Sequence, residues 1–283
     1  MISLPARKVL CALLCLAAGL VACSKDDDTP EGLLPPLVWP DDIAAAIPDP
    51  VFRAFCVELY DKDGDGCLSK EEVLAVTSIS NNGARRIRSL EGIEFFGNLE
   101  KLYLGECNFP SLDLRYNARL ERIRLENPSD LVVFRGPVGC APLTIELMNP
   151  CRNLKEFDLT GCANVRELLI STKSPDDALL TTIDLPDPSH LQYLTIAAAD
   201  AVCYDALLAR GANLKHLYCN YYPNAVLDLS RCPRLQILSV RTCADSSLSK
   251  IRLHKEAPLN MRFDVYDEKG RDCLHRIEIE YVE

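Results

Sequence analysis

From Arg86 to the C-terminus the apolar positions of this chain repeat. Leu99, Leu102 and Leu104 are followed by Cys107, and the spacing L-x-x-L-x-L returns at Leu120/Ile123/Leu125 and at Leu154/Phe157/Leu159, the latter followed by Cys162. It returns again at Leu191/Leu194/Ile196, at Leu214/Leu217/Cys219, at Leu235/Leu238/Val240 before Cys243, and at Leu274/Ile277/Ile279 before Val282. Leu99 and Leu120 lie 21 residues apart, as do Leu214 and Leu235. That falls within the roughly 20–29 residues of a repeat that gives one strand and returns. A second apolar pair recurs later in the unit, at Leu112/Leu114, Ile183/Leu185, Leu227/Leu229 and Ile251/Leu253. No such unit buries its leucines alone, so neighbours must stack into a solenoid of short parallel strands. The fold class is α/β, with the parallel sheet on the concave face. The spacing lengthens after Leu120 and after Leu154, which predicts irregular or inserted units over 131–148 and 171–188. The ninth position of each unit points inward, so Cys107, Cys162 and Cys243 are expected to be buried, reduced thiols.

The segment before the repeats reads differently. Asp42 to Ile47 predicts a short helix stopped by Pro48 and Pro50, and Val51 to Tyr60 carries helical apolar spacing. Next comes Asp61-Lys62-Asp63-Gly64-Asp65-Gly66-Cys67-Leu68-Ser69-Lys70-Glu71-Glu72. Its order matches a twelve-residue EF-hand loop. Asp61, Asp63 and Asp65 offer carboxylate oxygens, and Gly66 sits at the sharp turn. Cys67 would offer its backbone carbonyl, Ser69 a hydroxyl or a bridging water, and Glu72 both oxygens. One Ca²⁺ ion is the expected ligand, because a hard cation needs six to eight oxygens. Leu68 fills the apolar slot that normally packs against a partner loop, yet no second loop occurs in the sequence. Glu71 to Val76 begins the exit helix. Residues 41–85 are thus expected to form a helical cap on a repeat domain spanning 86–283, whose last strands close the far end.

The front of the chain is a secretion signal: Arg7 and Lys8, then an apolar run from Val9 to Leu20, then small residues and Cys23. The run is too short to span a bilayer comfortably. Removing residues 1–22 leaves 261 of 283, with 29 basic against 41 acidic side chains, a formal −12. A chain this acidic is a poor candidate for nucleic-acid binding. Residues 23–40, polar and then proline-rich, read as a disordered tether. Of 14 cysteines, Cys11 and Cys15 leave with the signal and eleven remain beyond Cys23, an odd number without a C-x-x-C pair. A zinc ribbon or thioredoxin-like site therefore has no support.

Leu20-Val21-Ala22-Cys23 resembles the lipobox of bacterial lipoproteins, and the Lys25-Asp26-Asp27 that follows resembles the export signal of Bacteroidetes surface lipoproteins. Ile87-Arg88-Ser89-Leu90-Glu91-Gly92-Ile93, Leu112-Asp113-Leu114-Arg115-Tyr116-Asn117 and Leu227-Asp228-Leu229-Ser230-Arg231-Cys232 resemble Bacteroidetes leucine-rich-repeat surface proteins. The repeats are also similar to those of the listerial internalins, and some members of the family carry an EF-hand-like loop just before the array. The resemblance implies a leucine-rich-repeat solenoid acylated at Cys23. It also implies an outer-membrane address facing the cell exterior and a non-enzymatic role, binding a protein or glycan at the cell surface, host adhesion included.

Strand geometry says which residues face outward: those flanking the fourth position of L-x-x-L-x-L. They are Lys101 and Tyr103, Arg122 and Arg124, Glu156 and Asp158, Tyr193 and Thr195, His216 and Tyr218, Ile237 and Ser239. Tyr193, Tyr218 and Tyr221 are expected to form an aromatic ridge, with Tyr103, Arg122 and Arg124 as a basic patch toward the other end. Tyrosine and arginine are favoured at interface centres, while half-exposed strand tyrosines also simply cover their neighbours. A hydrolase is the competing class. The four histidines fall in no H-E-x-x-H, and no serine lies in G-x-S-x-G. Cys219 lies three residues from His216, but alternation puts the two on opposite faces. Asp176, Asp177, Asp184 and Asp187 read as a solvated loop. A third class is an accessory subunit of an outer-membrane complex.

Overall fold

Inward leucines need a neighbour, and the chain supplies one by coiling. The computed structural model describes residues 34–283 apart from 84, 140, 150, 152, 172–182, 186, 198–200, 243–247, 259–261 and 268, and apart from the side chains of 201–203 and 221. Cys23 and Cys243 lie outside the described residues, as do Asp176 and Asp177. One wall of the coil stack is a nine-stranded parallel sheet. Its strands are β1 (Ser78–Asn81), β2 (Lys101–Leu104), β4 (Arg122–Glu126), β6 (Leu143–Met148), β8 (Val165–Ile170), β9 (Tyr193–Ala197), β10 (His216–Tyr222), β12 (Ile237–Thr242) and β14 (Arg262–Tyr266), in that spatial order. The missing numbers belong to the return wall. There β3 (Ser111–Asp113), β5 (Val133–Arg135) and β7 (Glu156–Asp158) form one short parallel sheet, and β11 (Val226–Leu229), β13 (Lys250–His254) and β15 (Glu278–Val282) form another. The architecture is the expected leucine-rich-repeat solenoid.

The core lies between the walls. Leu102, Ile123, Ile145, Leu168, Leu194, Leu217 and Leu238 stand in one register row on the long sheet, and each is at most 1% exposed. From the return wall, Phe134 and Phe157 pair in register with ring centroids 4.9 Å apart.

From β2 onward the chain passes back and forth between the two walls, and this corrects three expectations. Leu154-x-x-Phe157-x-Leu159 belongs to β7 on the return wall, so Glu156 and Asp158 do not share the nine-stranded face. The segment expected to be irregular over 131–148 holds a regular coil, since Leu143–Met148 is β6 of the long sheet. The closing unit Leu274/Ile277/Ile279 also belongs to the return wall, through β15 pairing with β13, and β14 is the last strand of the long sheet. Of the segment 171–188, the described part places Asp184 in a parallel bridge with Asp158, which continues the return wall by one more coil.

A helix that periodicity did not reveal follows. α4 (Ala201–Leu208) occupies the return position between that bridge and β11. (α1 to α3 precede β1 and are described with the candidate site.) Tyr204 of α4 is fully buried, its hydroxyl donates to the Ile196 carbonyl at 2.9 Å, and its ring meets Tyr222 edge-on with centroids 5.2 Å apart.

The turns are stitched by side chains that reach one coil back. Asp113, Asp158 and Asp228 each accept a hydrogen bond from the backbone N–H two residues on, at 2.9–3.1 Å, and so bend the chain out of the return strand. Three residues after Leu114, Leu159 and Leu229 stand Asn117, Cys162 and Cys232, each at most 3% exposed. Asn117 donates to the carbonyls of Ile93 and Phe96, Cys162 to that of Pro137 at 3.2 Å, and Cys232 to that of Leu208 at 3.9 Å. Asn98, Asn153 and Asn213 do the same at another corner, reaching Leu74, Ser129 and Ser189 at 2.7 Å. Cys107 and Cys162 are both buried free thiols, as expected, but not at equivalent positions. Cys107 follows a strand of the long sheet, and Cys162 follows one of the return wall.

Candidate functional site

Three short helices precede the first coil. α1 (Ile43–Ala46) starts at Asp42, whose side chain accepts from the Ala44 N–H at 2.9 Å, and α2 (Pro50–Tyr60) starts at Asp49, which accepts from Val51 and Phe52. Proline at the first position of α2 costs nothing there, because that N–H has no helical partner. α3 (Lys70–Leu74) starts at Ser69. Phe52 stacks against Phe55 and meets Phe96 of the first coil, with centroids 6.5 and 6.4 Å away. This joins the helices to the repeat core. The proline-rich segment expected to be a tether is described from residue 34. Trp39 there packs on Phe95 at 5.6 Å, and the Lys70 ammonium sits 4.3 Å from its ring.

Between α2 and α3 runs the Asp61–Glu72 loop. The carboxylates of Asp61, Asp63 and Asp65 converge, with one oxygen from each lying within 4.8 Å of the others. The loop's own amides hold them in place. Asp61 accepts from Gly64 at 2.7 Å and from Gly66 at 2.9 Å, Asp63 from Asp65 at 3.2 Å, and Asp65 from Cys67 at 2.7 Å. Gly64 and Gly66 adopt φ of 76° and 87°, where a side chain would strain the turn. Glu72 closes the loop from the other end. Its Oε1 accepts from the Lys62 N–H at 2.7 Å, and its Oε2 accepts from the Ser69 N–H at 2.9 Å and the Ser69 hydroxyl at 2.8 Å. Ser69 and Glu72 thereby form a reciprocal capping box on α3. Those donors, Lys62 N–H first and Ser69 next, pull the Glu72 carboxyl down to about 2. The Cys67 thiol is held up by the negative charges of Asp42 and Asp65. The donor set is all oxygen and carried by one segment, which fits a hard divalent cation.

Leu68 has no neighbour in a second loop, and its place is filled from elsewhere in the chain. Its side chain is fully buried, its N–H donates to Asp42 Oδ1 at 3.1 Å, and its carbonyl accepts from the Ile43 N–H at 2.9 Å. The sequence places Asp42 at the start of a short helix and does not connect it with the loop. The one signal it gives is an N-cap residue placed before Ile43-Ala44-Ala45-Ala46.

On the nine-stranded face the outward residues fall into register rows. Lys101, Arg122, Thr144, Glu167, Tyr193, His216, Ile237 and Arg262 form one row. Tyr103, Arg124, Glu146, Leu169, Thr195, Tyr218, Ser239 and Asp264 form the next. The expected basic patch is neutralised. Glu146 lies in register with Arg124 and binds both arginines, Arg122 at 3.2 Å and Arg124 at 3.3 Å, while Glu126 takes Arg124 at 2.8 Å. Tyr193 and Tyr218 lie on adjacent strands but in different rows, so they make a diagonal rather than a straight ridge. His216 stands between them, its ring 4.5 Å from that of Tyr193 in an edge-on contact. The Tyr221 side chain lies outside the described residues, and pairing shifts register at that point of β10. Cys219 points into the core, fully buried, and burial raises its thiol above the ordinary range, whereas His216 faces out. No thiol–imidazole pair forms.

No protein-family model and no curated protein sequence matches the chain. Among solved structures, the functional domain of InlJ from Listeria monocytogenes, which includes a cysteine ladder, is similar at 15% identity and a TM-score of 0.40 over 85% of this chain. This chain spans 61% of that one. An internalin, InlF, also from Listeria monocytogenes, is similar at 16% identity and a TM-score of 0.42, covering 87% of this chain and 71% of its own.

The Glu72 carboxyl gives a test of the loop in the absence of metal. A group whose pKa falls on folding stabilises the protein above its unfolded value and ceases to as pH drops through the folded value. Its contribution therefore fades between about pH 4.5 and about 2. Glu72→Gln should lower the melting temperature at pH 6 and should flatten the difference from wild type as pH falls through that window. Parallel melting curves at every pH would show that the carboxylate does not hold the loop.

Proposed function

We propose that this protein is a non-enzymatic surface lipoprotein that binds another protein on its nine-stranded face, with a calcium ion bracing the helices at its N-terminal end. The observation that carries the binding reading is what that face leaves uncommitted. Its Arg122 and Arg124 are tied to Glu126 and Glu146, and its Arg262 to Asp264. On the return wall Arg135 pairs with Glu156, Lys250 with Glu278 and Arg252 with Glu280. Among the described residues, Tyr193 and Tyr218 are the large hydrophobic side chains that the nine-stranded face exposes, each 38% exposed, with Ile237 and Leu169 beside them. Rigid aromatic rings on a stiff sheet are favoured anchors for a protein partner. Tyr193→Ala and Tyr218→Ala should each weaken capture of a surface partner by about 2 kcal/mol. Both should melt within about 0.5 kcal/mol of wild type, as exposed positions do. Arg135→Ala on the return wall should bind normally. Equal losses from both walls, or early melting of the tyrosine variants, would count against this face.

The address follows from Cys23 and the Lys25-Asp26-Asp27-Asp28 run: acylation at Cys23, anchorage in the outer membrane, display to the exterior. Protease added to intact cells should remove the chain, and protection until lysis would place it inside.

Asp61, Asp63, Asp65 and Glu72 would hold the calcium ion, with the Cys67 carbonyl and Ser69 completing the set. The ion would supply a fixed divalent charge that ties α2 to α3. Binding should be weak, roughly 10⁻⁴–10⁻³ M, the range of extracellular modules. Millimolar Ca²⁺ should raise the melting temperature by linkage, and Asp61→Ala should abolish that rise. A melt indifferent to Ca²⁺ would dismiss the metal.

A further inference from the structure

An EF-hand loop rarely works alone, because the backbone at its eighth position pairs with a partner loop and thereby fixes the carbonyl before it. Here both backbone groups of Leu68 are taken by the start of α1: the N–H by the Asp42 carboxylate and the carbonyl by the Ile43 N–H. Leu68 and Ile43 are both fully buried, and the hydrogen bond from Leu68 to Asp42 is half-buried. The same Asp42 Oδ1 also caps α1 through Ala44. The segment that stands in for a second loop is therefore the entry to the folded unit, immediately after Trp39 and its contacts with Phe95 and Lys70.

We infer that Asp42 and Ile43 are positioning residues for the calcium loop, acting as the missing half of an EF-hand pair by holding Leu68 and, through it, the Cys67 carbonyl. This rests on the calcium reading of Asp61–Glu72. Asp42 itself donates no ligand in that set; its acceptor oxygen orients the loop. Linkage then runs both ways: metal in the loop must hold α1 in place as strongly as α1 improves the loop.

Calorimetric titration of the full chain with Ca²⁺ tests this, alongside Asp42→Ala and Asp42→Asn. Losing one hydrogen bond from the half-buried Leu68 N–H to a carboxylate should weaken Ca²⁺ by about tenfold in Asp42→Ala. Asp42→Asn keeps an acceptor in the same place and should bind within about twofold of wild type. Amide exchange at Ile43 and Ala44 should slow on adding Ca²⁺ in wild type and not in Asp42→Ala. A circular-dichroism melt in chelator identifies folded protein; if Asp42→Ala is unfolded there, Asp42→Asn and the exchange rates of wild type decide alone. Wild-type affinity in Asp42→Ala, equal weakening in both variants, or exchange at Ile43 that ignores Ca²⁺ would overturn the positioning role while leaving the calcium site intact. A wild-type chain that takes up no Ca²⁺ would instead remove the calcium reading itself.

Discussion

Everything in this protein depends on the fact that no coil can satisfy itself. The leucines of one coil are covered only when the next coil lies against them, and the backbone carbonyls at its corners have no strand partner. Those corners are met from the neighbouring coil by Asn117, Cys162 and Cys232 on one edge and by Asn98, Asn153 and Asn213 on another. Asparagine and cysteine take the same position because both are small and both carry a donor that can reach a carbonyl. The thiols are therefore part of the stacking, and burial raises those of Cys162 and Cys232 to about 12, away from reactivity at neutral pH.

The first coil meets this constraint differently, since it has no coil before it. Asn117 reaches back to Ile93 and Phe96, and Phe96 is met in turn by Phe52 of α2. The acidic loop sits between two of these helices. A change in the loop therefore bears on the end of the stack, through Leu68 and α1.

The solenoid was legible from the leucines, but which wall each leucine belongs to was not. Phe109-x-x-Leu112-x-Leu114 and Leu248-x-x-Ile251-x-Leu253 on the return wall carry the same spacing as Leu99-x-x-Leu102-x-Leu104 on the long sheet. Both walls alternate inward and outward with the period of a strand, so the pattern marks strands without naming their sheet. That is why Leu154 was read as a long-sheet unit and the plain alternation Leu143/Ile145/Leu147 passed for an insertion. The acidic loop was legible because its donors lie in one contiguous segment. Asp42 was not, because it lies 26 residues from the amide it accepts from. The pairing of Glu146 with Arg122 and Arg124 was hidden for the same reason, since only strand register brings them together.

The helix α4 gives the stack a mechanical asymmetry. The nine-stranded sheet is one unbroken ladder of hydrogen bonds from β1 to β14. On the return wall, among the described residues, the ladder through β3, β5, β7 and Asp184 and the ladder through β11, β13 and β15 are separate, with α4 between them. A bending load is carried stiffly on one side and concentrated at a single level on the other, as in a hinged strap with a continuous leaf. That level coincides with β9 and β10, where Tyr193, His216 and Tyr218 stand. There the Tyr204 hydroxyl lies 2.9 Å from the Ile196 carbonyl and 3.3 Å from the Asn220 carbonyl, so a single side chain of α4 fastens the helix across β9 and β10.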